Sequence, residues 1–324
     1  MLAAVKKLYL GYSGVLNMIK MNSKWLAIAA AAVIGLSSMT VRAEGEMKPF
    51  ILASTATGAV ADKVDGVKKS LTDNGFQVVG EYVPYENAHI IIVTNDALKK
   101  AAASHERGGY AAGQRVAITK VGDQVQITYT NPKYMAIAYH VKGDINSVAD
   151  ALEKALGAVK EYGPDKGMDA DDIAGYHYTF GMEYFDEPYS LAEYNNYKEA
   201  VDAVEKALAK KAGGATKIYR IDIPGSKQTV FGVGLASADN KYSDDTFIMS
   251  EIDFKEIRST AHLPYEMLVT DDEVEALHAR FRIAINFPDL SMMGSNSFMN
   301  IMPTPDAIKA SLTKAAGGEL KEEF

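Results

Sequence analysis

Val64-Asp65-Gly66-Val67-Lys68-Lys69-Ser70-Leu71 and Val201-Asp202-Ala203-Val204-Glu205-Lys206-Ala207-Leu208 lie 137 residues apart and agree at five of eight positions. In each, apolar residues recur at three- and four-residue spacing, the period of a helix with one buried stripe. Each also opens a block of similar order, so the chain reads as a duplicated domain whose copies have diverged.

Outward from the first helix, residues 50–53 read as a strand and residues 60–73 as the helix, closed by Asn74-Gly75. Residues 76–83 and 89–94 read as strands and residues 97–104 as a helix. Residues 115–119 and 124–129 alternate with period two around Gly122-Asp123, a hairpin stopped by Asn131-Pro132. A helix over 146–156 closes the first domain, residues 48–161. Residues 162–175, rich in Gly, Pro and Asp, read as a solvated linker. Asp169, Asp171 and Asp172 lack the spacing of a calcium loop.

The second domain, residues 176–318, repeats the plan. Tyr176, Tyr178, Phe180, Met182 and Tyr184 alternate as on a strand. A helix spans 195–211, a hairpin 217–223 and 229–235, and strands 247–254 and 265–269. Residues 273–287 pose a conflict. Thr270-x-x-Glu273 is a capping-box pattern, yet Leu277, Ala279, Phe281, Ile283, Ile285 and Phe287 alternate strictly. The alternation favours a strand, with Phe287-Pro288 as the counterpart of Asn131-Pro132 and about nineteen residues gained by the second copy. A helix over 306–315 ends the fold. The expected class is α+β: two tandem related α/β sandwiches, each an antiparallel sheet packed by helices.

Helix-Gly75-Phe76, the paired strands of 115–129 and Asn131-Pro132 resemble the bacterial domain of unknown function 302. Leu263-Pro264 and Phe287-Pro288 resemble the same pattern in the second copy. The resemblance covers residues 48–160 well and 176–318 more loosely. It implies a compact α+β sandwich with helices on one side of an antiparallel sheet, and members that are often exported. It supplies no activity and no catalytic residues.

The 324-residue chain is 48% hydrophobic and 23% charged, as soluble two-domain proteins are. Lys20 and Lys24 precede an apolar run over 25–36, and Val41-Arg42-Ala43 offers a cleavage site. Residues 1–43 therefore read as a secretory signal region, with translation starting at Met18 or Met21. The run is short for a span, so no transmembrane segment is expected after cleavage. The remaining chain carries a formal charge of −13, because residues 1–43 hold five basic and no acidic residues. Such a surface repels nucleic acid and anionic lipid. Absence of cysteine excludes disulfides, thiolate metal sites and covalent c-type haem. The expected location is the periplasm of a Gram-negative bacterium, or secretion beyond it.

The chain has no His-Glu-x-x-His, nucleophile elbow, P-loop or dinucleotide fingerprint. Gly232-Val233-Gly234 lacks the third glycine and following helix, which leaves a flexible or closely packed strand. Met292, Met293, Met299 and Met302 fall within eleven residues, a candidate copper site through soft thioethers or a set of packing residues. Ser291 and Asn296 add polar groups. On an extended 273–287, His278, Arg280 and Arg282 would share a face and clamp a small anion, unless they are solvated and paired with Glu251 and Asp253. His262 is a further candidate ligand or acid-base group, and His177 is undecided. Three classes follow. The first is a non-catalytic binding or accessory module for a small anion, apolar ligand or soft metal, sited in the second domain. The second is an assembly protein using the Met- and aromatic-rich stretch against an envelope protein or in a homo-oligomer. The third is an enzyme acting on a small anionic substrate. The lack of a catalytic constellation ranks the enzyme last.

Overall fold

Apolar residues at period two over 115–119 and 124–129 build the first sheet, and a computed structural model of the protein describes residues 45–320. The first copy runs β1 (Phe50–Thr57), α1 (Ala61–Asp73), β2 (Gln77–Tyr82), β3 (Ala88–Thr94), α2 (Asp96–Ala102), β4 (Gln114–Val121), β5 (Gln124–Thr130), α3 (Pro132–Ala138) and α4 (Ile145–Leu156). A short β6 (Lys160–Tyr162) and α5 (Ala170–Ala174) follow. The second copy runs β7 (Tyr189–Glu193), α6 (Tyr197–Ala209), β8 (Ala215–Ile223), β9 (Gln228–Leu235), α7 (Asp245–Ile252), β10 (Tyr265–Thr270), β11 (Glu273–Ala276), α8 (Ala279–Asn286) and α9 (Thr304–Ala315).

Both copies therefore share the order βαββαββαα. Their sheets share it too: β2-β3-β4-β5-β1-β6 in one, β8-β9-β10-β11-β7 in the other, antiparallel throughout. The repeated segment is α1 and α6, with Val64, Val67 and Leu71 buried in the first and Val201, Val204 and Leu208 in the second. This is a two-domain α+β sandwich.

Period two assigns each strand two jobs. On the first sheet, Ile91, Val93, Val116, Ile118 and Val125 face α1 and α4, where they meet Val64, Leu71, Val148 and Leu152. Ile90, Ile92 and Ala117 face the other way, into a core shared with Tyr219, Ile221, Val230 and Leu268 of the second sheet. The two sheets thus bury their inner faces against each other, and the chain from Gly45 onward is one compact unit. The glycines of β9 serve this contact. A Cβ on Gly232 would fall 1.9 Å from the Tyr219 ring, and one on Gly234 2.6 Å from the Tyr82 ring. They belong to a closely packed strand.

Four expectations are corrected. Residues 176–188 form no strand; Tyr176 and Tyr178 instead donate their hydroxyls to the carbonyls of Ala284 (3.2 Å) and Leu290 (2.7 Å). Residues 247–254 are mostly helix, not strand: Asp244 caps α7 by accepting from Phe247 N–H at 2.9 Å, and Ile248, Met249 and Ile252 are buried at helical spacing. Residues 273–287 are not one strand. β11 stops at Ala276, and His278 caps α8 by accepting from Arg280 N–H. Phe281 to Asn286 are all buried, and a helix buried on every side shows no amphipathic period. The counterpart of Asn131-Pro132, which opens α3, is accordingly His278-Ala279 and not Phe287-Pro288. Finally, residues 162–175 are partly ordered into β6 and α5, the latter capped by Asp169 on Asp172 N–H. The expected signal region, residues 1–43, lies outside the described residues.

Candidate ligand-binding surface

The end of β11 turns the chain into α8, which carries Arg282 between the sheets. Its Nε donates to Glu266 Oε2 (3.2 Å) and its Nη2 to the carbonyls of His262 (2.7 Å) and Pro264. Glu266 Oε1 accepts from Arg115 Nη1 of the first copy (2.5 Å) and from Tyr219 (3.2 Å). The guanidinium of Arg282 lies 4.3 Å over the Tyr265 ring. All four of Arg115, Glu266, Arg282 and His262 are buried. Burial, then Arg282 and Arg115, push the His262 pKa well below its ordinary value. Arg282 Nη1 lies 3.0 Å from His262 Nε2, and since a guanidinium only donates, the neutral imidazole accepts. His262 is a hydrogen-bonded interior residue.

Two residues earlier, Arg280 Nη1 donates to Glu183 Oε1 at 2.7 Å, and His278 Nε2 reaches the same oxygen at 3.2 Å. Burial, then Arg280 and Lys309, lower the His278 pKa to about 3. Its Nδ1 accepts from Arg280 N–H, so the neutral ring carries its proton on Nε2 and donates it to Glu183. The structure thus does not gather His278, Arg280 and Arg282 on one open face. Arg280 is turned to Glu183 and Arg282 to Glu266, with Glu251 and Asp253 engaged elsewhere. His177 donates from Nδ1 to the Thr179 carbonyl at 3.0 Å, and its ring lies beside that of Tyr184.

After Leu290 the chain forms a pinned surface loop. Ser291 Oγ donates to the Met293 carbonyl, and the Ser291 carbonyl accepts from Phe298 N–H at 2.8 Å. Asn296 and Asn300 both donate to Glu251 at the end of α7, at 3.2 and 2.9 Å. Phe298 is buried against Tyr178, rings 5.8 Å apart. Met299 N–H donates to the Met292 carbonyl, and Met302 N–H to that of Met299. On this frame Met292, Met293, Met299 and Met302 are 43%, 74%, 48% and 55% exposed, whereas Met135, Met249 and Met267 are buried. The loop methionines therefore do not fill core gaps. Phe254, also exposed, follows α7 close by.

Sequence reasoning passed over a set of buried carboxylates. Burial raises Asp253 to about 7, against the lowering effect of Ser259 N–H, Arg258 and Thr260. Asp253 lines a small cavity of about 30 Å³ with Asn286, Phe287 and Leu290, next to the methionine loop. Burial likewise raises Asp245 to about 6 and Glu275 to about 7, although Tyr82 donates to the first and Arg107 to the second. The one signal was an acid between apolar neighbours, as in Ile252-Asp253-Phe254 and Val274-Glu275-Ala276.

Among the described residues no group of three or more His, Asp or Glu side chains is placed to hold a metal ion, and no helix is long and apolar enough to cross a membrane. The chain matches no family model, no curated protein and no solved structure.

Proposed function

We propose that this is an exported, non-catalytic binding or accessory protein of the periplasm, and that its ligand site is the methionine loop of the second copy. The exposure of Met292, Met293, Met299 and Met302 carries this reading. Four flexible apolar side chains held out on a loop pinned by backbone and Asn–Glu251 hydrogen bonds are placed for contact with something outside the chain. Thioethers are soft ligands, and in a chain without cysteine they are the natural donors to Cu(I). The surplus of acidic residues attracts a cation.

Exposed methionines equally suit an adaptable protein interface, which the neighbouring exposed Phe254 favours. Replacing all four methionines by Leu separates the two, since Leu keeps apolar bulk and loses the sulfur. Competition for Cu(I) against a chromophoric chelator is expected to show binding by the native chain and none by the Leu variant. A native chain that takes no copper rejects the metal ligand. Envelope partners that stay bound to the Leu variant then identify the loop as an assembly surface.

A further inference from the structure

Two buried acceptors that lack a donor belong to residues on the wall of one cavity. Asp253, which follows α7, is 8% exposed, and Asn286, the last residue of α8, is 1% exposed. Both line the cavity of about 30 Å³. Asp253 Oδ1 accepts from Ser259 N–H at 2.8 Å, whereas its buried Oδ2 has no hydrogen-bond partner among the described residues. Asn286 Nδ2 donates to the Arg282 carbonyl at 2.9 Å, which fixes the orientation of the amide. Its buried Oδ1 is likewise without a partner among the described residues. A buried acceptor with no donor is costly, and two on one cavity wall point to a shared occupant.

The chemistry of the wall narrows that occupant. Both atoms only accept, so it must bring positive charge or hydrogens. The nearby cations of the chain are turned elsewhere. Lys255 Nζ donates to the Gly163 carbonyl at 2.8 Å and to Asp289, and Arg258 Nη1 donates to the backbone carbonyl of Asp253. Lys255 thus offsets Asp289, and Asp253 is left as the carboxylate on this wall without an ion pair. The wall offers oxygen and no imidazole or thioether, which suits a hard ion. One unmatched negative charge suits a monovalent ion, since a divalent one would hold excess charge beside Lys255 and Arg258. The volume admits about one occupant the size of a water molecule.

We propose that this cavity binds a small monovalent cation of the sodium class, held between Asp253 Oδ2 and Asn286 Oδ1. The ion ties the end of α7 to the end of α8. Leu290, on the same wall, accepts from the Tyr178 hydroxyl at 2.7 Å and immediately precedes the methionine loop, so the ion braces the base of that loop. The inference rests on the cavity and is independent of any ligand of the methionines.

Thermal melts of the full chain in sodium chloride and in tetramethylammonium chloride, at equal ionic strength and pH 8, test it. Sodium at saturation is expected to raise the melting temperature by about 2 °C over tetramethylammonium, which is too large for the cavity. The sodium NMR line should broaden on addition of the native chain. Asp253→Asn keeps the acceptor for Ser259 N–H and removes the charge. That variant is expected to melt alike in both salts and to leave the sodium line narrow. Asn286→Ala, which keeps the carboxylate, should raise the sodium concentration for half-maximal broadening about tenfold. Equal melting of the native chain in both salts with a narrow sodium line overturns the proposal, leaving water or the carboxyl's own proton to bridge the two oxygens. Broadening that survives unchanged in Asp253→Asn places the ion elsewhere on the acidic surface and overturns it as well. Stabilisation by micromolar calcium and not by sodium overturns the monovalent assignment.

Discussion

Glu266 holds a buried charge shared among Arg115, Arg282 and Tyr219, and its removal leaves two guanidinium groups facing each other without an anion. Glu266→Gln is therefore expected to cost about 3–5 kcal/mol, read by denaturant unfolding. Arg280→Ala, which breaks a half-exposed pair with Glu183, should cost about 1 kcal/mol or less. Asp253 sets a pH dependence of definite sign. Its folded pKa of about 7 lies above that of an unfolded aspartate, so the proton it keeps stabilises the fold at low pH. That contribution is lost as pH rises through 7. Glu275 acts in the same sense. His262 and His278, with lowered pKa values, oppose it below their unfolded value of about 6.5. The fall is thus clearest from pH 6.5 to 8. Asp253→Asn should make it shallower while the Glu275 share remains, and thermal melts in which native and variant chains lose stability in parallel would refute the assignment.

Strand β9 shows what an element demands of its residues. Gly232→Ala would drive a methyl group into the Tyr219 ring, whose hydroxyl is tied to Glu266, so the ring has little room to retreat. A loss of about 1–3 kcal/mol in unfolding free energy is expected from such overpacking. Legible in the sequence were α1, α6 and β8, each with one wet face, and β9, which is buried throughout and showed as an apolar run beside the turn at Gly225. Of those that misled, α8 is buried on nearly every side, which erases the helical period and leaves an alternation that mimics a strand, whereas α7 keeps helical burial at Asp245, Ile248, Met249 and Ile252. The aromatic alternation of 176–184 misled for another reason, since its phenols serve as hydrogen-bond donors to carbonyls near the end of α8. The site followed the same rule. The methionine cluster was visible as a run, whereas the partners of Arg280 and Arg282 come from Glu183 and Glu266, close in space and distant or unmarked in sequence.

At the scale of the whole molecule, the inner faces of the two sheets make one core, so heating should give a single cooperative transition. Residues 45–169 expressed alone would expose Ile90, Ile92 and Ala117 together with an unpaired Arg115, and should not persist as a soluble folded monomer. Calorimetry of the whole chain and sedimentation of that half check both statements. The layer between the sheets also has a polarity. The first copy contributes Arg107, Arg115, Tyr82 and Tyr110 as donors, and the second contributes Glu266, Glu275 and Asp245 as acceptors. Two first halves brought together would oppose arginine to arginine, and two second halves would leave Glu275 and Asp245 without Arg107 and Tyr82. A symmetric pairing of either half would thus lose these ion pairs, and the fused chain carries a lock and its key on one thread. During synthesis the first half emerges with a face that rejects its own kind and waits for the second. Where molecules crowd, the exchange this charge arrangement favours joins the first half of one chain to the second half of another.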